Sequence, residues 1–463
     1  MTKLVLVNKE HPIKQSYIDK IKLVDTKDKD GNDILIEEET YSNYLELKDY
    51  LKSIGLEVVI NSAYRSMEEQ QEIMKEYIEK YGEEEAKTRV ASLGTSEHHT
   101  GLVIDLGIQL EKLEDEEEMK KLRESKYQII HKHLSKFGFI LRYPKGKEEI
   151  TGYRYEPWHI RYVGEFVANI LYKNNWTLEE YLSDFSGLLV VNKEKGMTSF
   201  DVVHEISRLF GIKKVGHTGT LDPMAEGVLI VAIGKATKIV ELLTASYKEY
   251  VAGVKLGIRT DTRDITGKII DSKEVENISN LEEVLQTFQK TYFQEVPIYS
   301  AVKVNGKKLY EYARNNQSVE LPKKEVTIQE IELLNKDKNT FTFRTVVSKG
   351  TYIRSLIDDI GKDLGTFATM TSLTRTKQGK MDITKASTLK DIRNGNYHLY
   401  SIDELLDYPV IEVDEELEFK IKNGQKLRNT FQILSKVIFK NKNKQLLGIY
   451  QNIEDELRVF KNF

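Results

Sequence analysis

The chain has 463 residues, of which 40% are hydrophobic and 31% charged, and it contains no cysteine. That balance excludes a disordered or membrane-spanning class, since no apolar run approaches the roughly 18 residues that a spanning helix needs. The missing cysteines exclude disulfides, thiolate metal ligands and a cysteine nucleophile, so a metal would have to be held by His, Asp and Glu. The net charge of -4 conceals an asymmetry, roughly -9 over residues 1–186 and roughly +5 over 187–463, so the two halves suit different partners. At about 150 residues per domain the length predicts two or three cores. The opening "MTKLVLVNKEHP" has an apolar run of four residues before Asn8 and Lys9, too short for a secretory h-region, and a cytoplasmic location is expected.

In the first half, "INSAYRSMEEQQEIMKEYIEKYG" reads as the end of a β-branched strand followed by a helix. Ser66 caps that helix and Glu69 reaches back in a capping box, which sets Tyr64 and Arg65 at a strand-to-helix turn where side chains face a cleft. "SEHHTGLVIDLGI" reads as a turn at Gly101 and a buried strand with one charge out of place, Asp105. A carboxylate inside such a strand is costly unless paired or bound to metal. Further on, "EPWHIRYVG" supplies Glu156, Trp158 and His159. Two histidines and one aspartate make three zinc ligands with a fourth position open, and a nearby glutamate is the base such a site needs.

The segments "SAYRS", "SEHHTGLVID" and "EPWHIRYVG" resemble the VanY-type zinc D-alanyl-D-alanine carboxypeptidases, over residues 1–183. The resemblance implies that His98, Asp105 and His159 bind zinc and that Glu156 is the general base. It makes Arg65 the group that stabilises the oxyanion or anchors the peptide carboxylate, with Tyr64 and Trp158 at the substrate. His99 stands where the family commonly has Gln, Leu93 where Pro often precedes the glycine, and Val103 where Ala is usual; none removes a ligand. The implied substrate is a D-alanine-terminated peptide, with D,D- and L,D-specificity both open.

"YKNNWTLEEYLSDFSGLLVVNKEKGMTSFDVV" passes from an amphipathic helix to a new strand with no flexible linker, which places a boundary at Phe185 to Gly187. Beyond it, "TSFDVVHEISRLFG" predicts an amphipathic helix closed by Gly211, and "KKVGHTGTLDPMAEGVLIVAIGKATK" a loop leading into a strand. In that loop Pro223 biases Asp222 to an extended conformation.

"GLLVVNKEKGMTSFDVV", "GHTGTLDPMAEGVL", "YKEYVAGVKLGIRTDTRDITG", "YSAVKVNGKKLYEYAR" and "SKGTYIRSLIDDIG" together resemble the TruB-type tRNA pseudouridine synthases, over residues 187–395 and in family order. The resemblance implies isomerisation of the uridine at position 55 in the tRNA T-loop, with no cofactor. It makes Asp222 the catalytic carboxylate, Tyr250 the residue stacked on the flipped uracil and Arg354 the ion-pair partner of Asp222. Leu373 becomes an apolar wall and His217 a contact to the rearranged loop. Lys193, Lys303 and Lys307 are expected at phosphates, and "TDTRD" is read as a structural turn. Glu194 stands where the family usually has Pro, and "EVPIY" has one proline where two are common.

Residues 400–463 hold short strand-like runs around "KNGQKL" that resemble the small PUA-like RNA-binding extension of these synthases; a stabilising tail is the other reading. The expected architecture is therefore α+β throughout. A zinc peptidase domain (1–183) precedes a mixed-sheet synthase domain (187–395) and a small β-rich tail (400–463), in a monomer with no membrane span. The competing reading for either half is a binding module that keeps the fold without the chemistry, or a fusion of two adjacent genes.

Overall fold

A computed structural model describes residues 3–275 and 279–463. The chain divides into two compact units, one of Met1–Phe185 with Arg208–Ile212 and one of Ser186–Ser207 with Lys213–Phe463.

The first unit is built on a four-stranded antiparallel sheet in the order Val58–Ser62, Val103–Ile108, His159–Tyr162 and Phe139–Leu141. Its β-branched runs, Val58 to Ile60 and Val103 to Ile104, suit a pleated surface. Val58, Ile60, Ile104, Leu106 and Ile160 pack with Tyr44, Leu47 and Leu51 of the helix Glu38–Ser53 and with Tyr127 and Ile130 of the helix Glu116–His131. Because Ile104 and Leu106 point into that core, the alternation of a strand turns Asp105 to the opposite face. The register sets Asp105 across from Ser62 on one neighbour and His159 on the other.

Two short devices bring the remaining side chains to that face. The helix Met67–Tyr81 starts at Ser66, whose Oγ accepts from Glu69 N at 3.1 Å while Glu69 Oε2 accepts from Ser66 N at 2.6 Å. This box fixes the turn that carries Tyr64 and Arg65. The single turn of 3-10 helix Glu97–Thr100 ends at Gly101, whose φ of 69° is the left-handed value that lets the chain reverse directly into the Asp105 strand.

The second unit is organised by a nine-stranded mixed sheet. Its main path runs Thr291–Glu295, Lys323–Lys336, Thr340–Val347, Lys248–Leu256, Ala368–Gln378, Glu226–Ile233, Gly187–Lys193, with Val215–His217 added to Glu226–Ile233. Neighbours along it are antiparallel except where Ala368–Gln378 meets Glu226–Ile233 in parallel, at Thr374 with Glu226 and Arg375 with Gly227. The amphipathic helix Ile353–Asp363 buries Ile353, Leu356, Ile357 and Ile360, along with Arg354 in its first turn.

The last residues fold into a five-stranded sheet, Val410–Glu412, Lys436–Lys440, Leu446–Ile453, Glu456–Asn462 and Leu427–Arg428. One set of its side chains, Val437, Phe439, Leu447 and Tyr450, forms a core with Ile421 of the helix Glu415–Lys422. Ile438 and Ile449 on the other face join Leu188, Val228 and Ile230 of the large sheet. A sheet that shares a core in this way contributes to the stability of the unit whatever else it binds.

The parallel crossing next to the Asp222 loop has no room for a side chain. Gly227 has φ 102°, and a Cβ there would lie 2.3 Å from Arg375 O and 2.9 Å from Arg375 N. Substituting Gly227→Ala adds an atom against backbone and forces the left-handed region on a residue with a Cβ, so we expect it to destabilise the second unit by about 1–3 kcal/mol or more. Denaturant unfolding of parent and variant measures this; an unchanged midpoint would contradict the close approach.

Candidate active sites

In the first unit, His98, Asp105 and His159 each offer a ligand atom, and these atoms lie within 4.8 Å of one another. His98 Nε2 is 3.3 Å from Asp105 Oδ2 and His159 Nδ1 is 2.9 Å from Asp105 Oδ1. On its outer side His98 Nδ1 meets Ala63 O at 2.5 Å; if that nitrogen carries the proton, Nε2 is left as an acceptor facing Asp105. Burial, then the nearby Arg65 charge, lowers the His98 pKa, which favours the neutral imidazole that a metal requires. Burial pushes the Asp105 carboxyl up, but the two histidines outweigh it and hold it well below the usual aspartate range.

This donor set fits a divalent zinc ion. Two imidazoles and a carboxylate converge with no thiolate, His98 Nε2 and His159 Nδ1 both turning to the Asp105 carboxylate so that the donor atoms lie within 4.8 Å of one another. Glu156 stands beside it, Oε2 at 3.6 Å from His159 Nδ1, with its pKa raised by burial. A carboxyl tuned upward in this way is suited to taking and returning a proton near neutral pH.

A cavity of about 380 Å³ opens onto the cluster, lined among others by Arg65, Tyr77, Tyr143, Tyr153, Glu156 and Trp158. Arg65 is tied by Nη2 to Asp105 Oδ2 at 3.2 Å and by Nε and Nη2 to Ser62 Oγ. Tyr64 is not among the lining residues; its backbone N–H donates to Leu35 O and its ring is half-buried. His99 Nδ1 hydrogen-bonds Arg65 O at 2.8 Å, so the second histidine of the pair braces the Arg65 turn. A larger cavity of about 710 Å³ shares Trp158 and includes none of the cluster.

In the second unit Asp222 sits in a pinned loop. Leu221 N donates to Ser199 Oγ at 2.8 Å, Ala225 N to Asp222 O at 3.0 Å, and Gly196 N to Pro223 O at 2.7 Å. Arg354 grips the carboxylate with two nitrogens, Nε to Oδ2 at 2.9 Å and Nη2 to Oδ1 at 3.1 Å. Two further guanidinium protons go to Thr262 O and Tyr299 O, each at 3.1 Å, so Arg354 is itself held in place. Burial dominates at Asp222 and, with Asp264 adding negative charge, raises its pKa above its ordinary value, although Arg354 pulls it down. Asp264, in the "TDTRD" segment, lies 3.9 Å from Arg354 and accepts from Thr262 Oγ1 and from Thr266 N and Oγ1, which holds the turn shut.

Tyr250 and Leu373 share one face of the sheet, since Tyr250 pairs with Arg375 and Ala252 with Leu373 in adjoining strands. The fully buried Arg375 connects this face to the Asp222 loop: its Nη1 lies 3.5 Å from Tyr250 Oη, its Nη2 donates to Gly219 O and its Nε to Val228 O. His217 stands on the strand Val215–His217, where Nδ1 accepts from Gly219 N at 3.2 Å; burial lowers its pKa and leaves it neutral. Lys303 is exposed on the hairpin Lys303–Lys308, where Lys307 Nζ bonds Gln317 Oε1.

Lys193 differs from its expected place at a phosphate. The residue is fully buried, and its ammonium donates to Glu194 O and Met197 O, which ties the loop after the first strand. Burial lowers its pKa to about 8 against the opposing pull of Asp222. Sequence reasoning also missed Arg375, and Glu97 with Arg142 and Arg161. The available signal was the one used for Asp105, a charge inside a strand-like run, which "SLTRTKQ" and "WHIRYVG" both show.

Comparisons with known proteins match three family models to the chain. The TruB family pseudouridylate synthase N-terminal domain matches residues 207–353, and the tRNA pseudouridylate synthase B C-terminal domain matches 354–418. The D-alanyl-D-alanine carboxypeptidase family VanY matches 33–165. The tRNA pseudouridine synthase B of Oceanobacillus iheyensis is 46% identical over 304 residues, 60% of this chain and 97% of the relative. That of Fusobacterium nucleatum is 44% identical over 52% of this chain and 87% of its own length. Among solved structures, a vancomycin-resistance D,D-pentapeptidase VanY in complex with Zn(II) is 33% identical, covering 39% of this chain and 98% of that one, with a TM-score of 0.33. An LD-carboxypeptidase, LdcB, is 34% identical over 39% and 85%, with a TM-score of 0.34. The chain belongs to the tRNA pseudouridine synthase B family and carries, in the same polypeptide, a D-alanyl-D-alanine carboxypeptidase domain of the VanY family.

Proposed function

We propose that the second unit converts uridine 55 of the tRNA T-loop to pseudouridine, with Asp222 as the catalytic carboxylate. The observation that supports this most strongly is the two-point grip of Arg354 on Asp222 in a pinned, partly desolvated loop. The reaction breaks the bond from uracil N1 to the ribose, turns the ring and joins C5 to the same ribose carbon; C5 loses a proton and N1 gains one. Uridine and product have the same atoms, so the conversion calls for no redox or group-transfer partner. A carboxylate serves either as nucleophile or as base at the sugar, and both roles require the ionised form. Arg354 orients it and favours that form. The target base must leave its stack, and the Tyr250 face, backed by Leu373, is the surface that receives it. His217 contacts the opened loop, and Lys303 and Lys307 meet phosphates from their exposed hairpin. The five-stranded tail is the PUA-like RNA-binding extension.

For the first unit we propose zinc-dependent removal of the terminal D-alanine from a peptide, with His98, Asp105 and His159 holding the ion. Bound zinc supplies Lewis acidity at the scissile carbonyl. Glu156 takes the proton of the attacking water and returns it to the leaving amine, the two-way role its raised pKa suits. Arg65, held at the cavity by Ser62 and Asp105, meets the peptide carboxylate or the developing oxyanion, and Trp158 forms a wall.

Elemental analysis of the purified chain is expected to give about one zinc per chain, and His159→Ala to lose it, because two protein ligands hold zinc poorly. Full zinc in that variant would remove the ligand assignment.

Asp222→Asn keeps shape and hydrogen bonding while removing the charge, so isomerisation of a T-loop RNA should fall by about 10²–10⁴-fold or more with RNA affinity little changed. The pH profile gives a second measure. Because the Asp222 pKa is raised and the ionised form is the active one, kcat/KM should be lost, as pH falls, at a pH above the ordinary aspartate value of about 3.9. Arg354→Ala removes the lowering charge and should move that limb further up. A limb that stays in place, or moves down, would contradict the ion-pair role.

A further inference from the structure

The N-terminal unit contains a buried charge network that the peptidase reading leaves unused, and it ends at a metal ligand. Glu97, next in sequence to His98, is buried without exposed side-chain surface. Its Oε1 accepts from Arg142 Nε and from Arg161 Nη1, both at 2.8 Å, and both arginines are themselves fully buried. Its Oε2 has no hydrogen-bond partner. His159 Nε2 lies 4.0 Å from it and is also buried and also without a partner. Two unsatisfied buried groups of opposite hydrogen-bonding character thus face each other behind the cluster.

We infer that Glu97 is a positioning residue for His159, accepting the Nε2–H of that imidazole through its free Oε2. The inference rests on the zinc reading above. His159 turns Nδ1 toward Asp105; to give that nitrogen's lone pair to a metal, the neutral ring must carry its proton on Nε2, and a buried N–H demands an acceptor. His98 has such an outer partner in Ala63 O, and at His159 the unpartnered Glu97 Oε2 stands in that place. A small rotation of the His159 ring closes the 4.0 Å separation to a hydrogen bond. Two guanidiniums lie 2.8 Å from the other Glu97 oxygen, and a carboxylate acceptor makes the stronger bond.

The network also gives a function to segments outside the matched 33–165 region. Arg142 is held from its far side by Glu179 in the helix Leu178–Asp184, with bonds of 2.9 and 2.6 Å. Arg161 Nη2 donates to Lys3 O and Val5 O. Both ends of the unit therefore brace the arginines that brace Glu97.

The test is made on the full chain. Zinc affinity is read by competition with a chromophoric chelator, and the imidazole protons by NMR with histidine-selective ¹⁵N labelling. In the zinc-loaded parent, His159 should carry its proton on Nε2, shifted downfield and protected from exchange. Folded Glu97→Gln should bind zinc about 10–100-fold more weakly, with that signal moved or lost. If Glu97→Gln does not fold because it strands two arginines, the parent spectrum decides alone. A His159 proton on Nδ1, a rapidly exchanging Nε2–H, or a folded Glu97→Gln with parental zinc affinity overturns the inference. A parent chain that binds no zinc overturns the metal reading itself, an outcome distinct from these.

Discussion

Both units depend on one constraint, a carboxylate kept useful after most of its water has been removed. Burial alone drives a carboxyl toward its neutral form, and the two sites answer this to different degrees. Around Asp105 the opposing charges and hydrogen bonds win and the group is held low. Around Asp222 burial wins in part, and the pKa is raised even with a bidentate arginine in place. The difference matches the tasks proposed for them. A metal ligand must stay ionised at every working pH, whereas a nucleophile or base gains reactivity from being less fully stabilised as an anion.

The folds serve that constraint by putting rigid elements behind each charge. Asp105 and His159 are opposed residues of neighbouring strands, so their separation is set by the sheet itself. Asp222 lies on a loop, but that loop is fastened at Leu221, Pro223 and Ala225 and packed beside a parallel crossing with no space for a Cβ at Gly227. Arg354, in the first turn of a helix that packs against the sheet, is fixed by backbone carbonyls of Thr262 and Tyr299 as it approaches. Precision of this kind comes from packing and hydrogen bonds to backbone and does not require a large pocket.

Much of this was legible in the sequence, and the reason is local. The Ser66 and Glu69 box, the turn at Gly101 and the lone charge of Asp105 in an apolar strand are signals carried within a few residues. What sequence did not reveal was pairing at long range. Glu97 finds Arg142 and Arg161 at separations of 45 and 64 residues, and nothing in any one segment announces that meeting. Lys193 shows the converse error: a lysine at the end of a strand reads as solvated, yet the loop folds back and uses its ammonium to satisfy two carbonyls. The balance at Asp222 was not legible for a related reason, since the depth of burial and the proximity of Asp264 are tertiary facts.

The central claim is that one polypeptide carries two chemically independent active sites, one dependent on a metal and one on a carboxylate alone. The most direct measurement follows D-alanine release from a peptide and pseudouridine formation in a T-loop RNA on the same purified chain while a zinc chelator is titrated in. The account predicts that D-alanine release falls to background and returns on adding zinc, while pseudouridine formation stays constant throughout. Parallel loss of both activities, or a D-alanine release that the chelator does not touch, would contradict it.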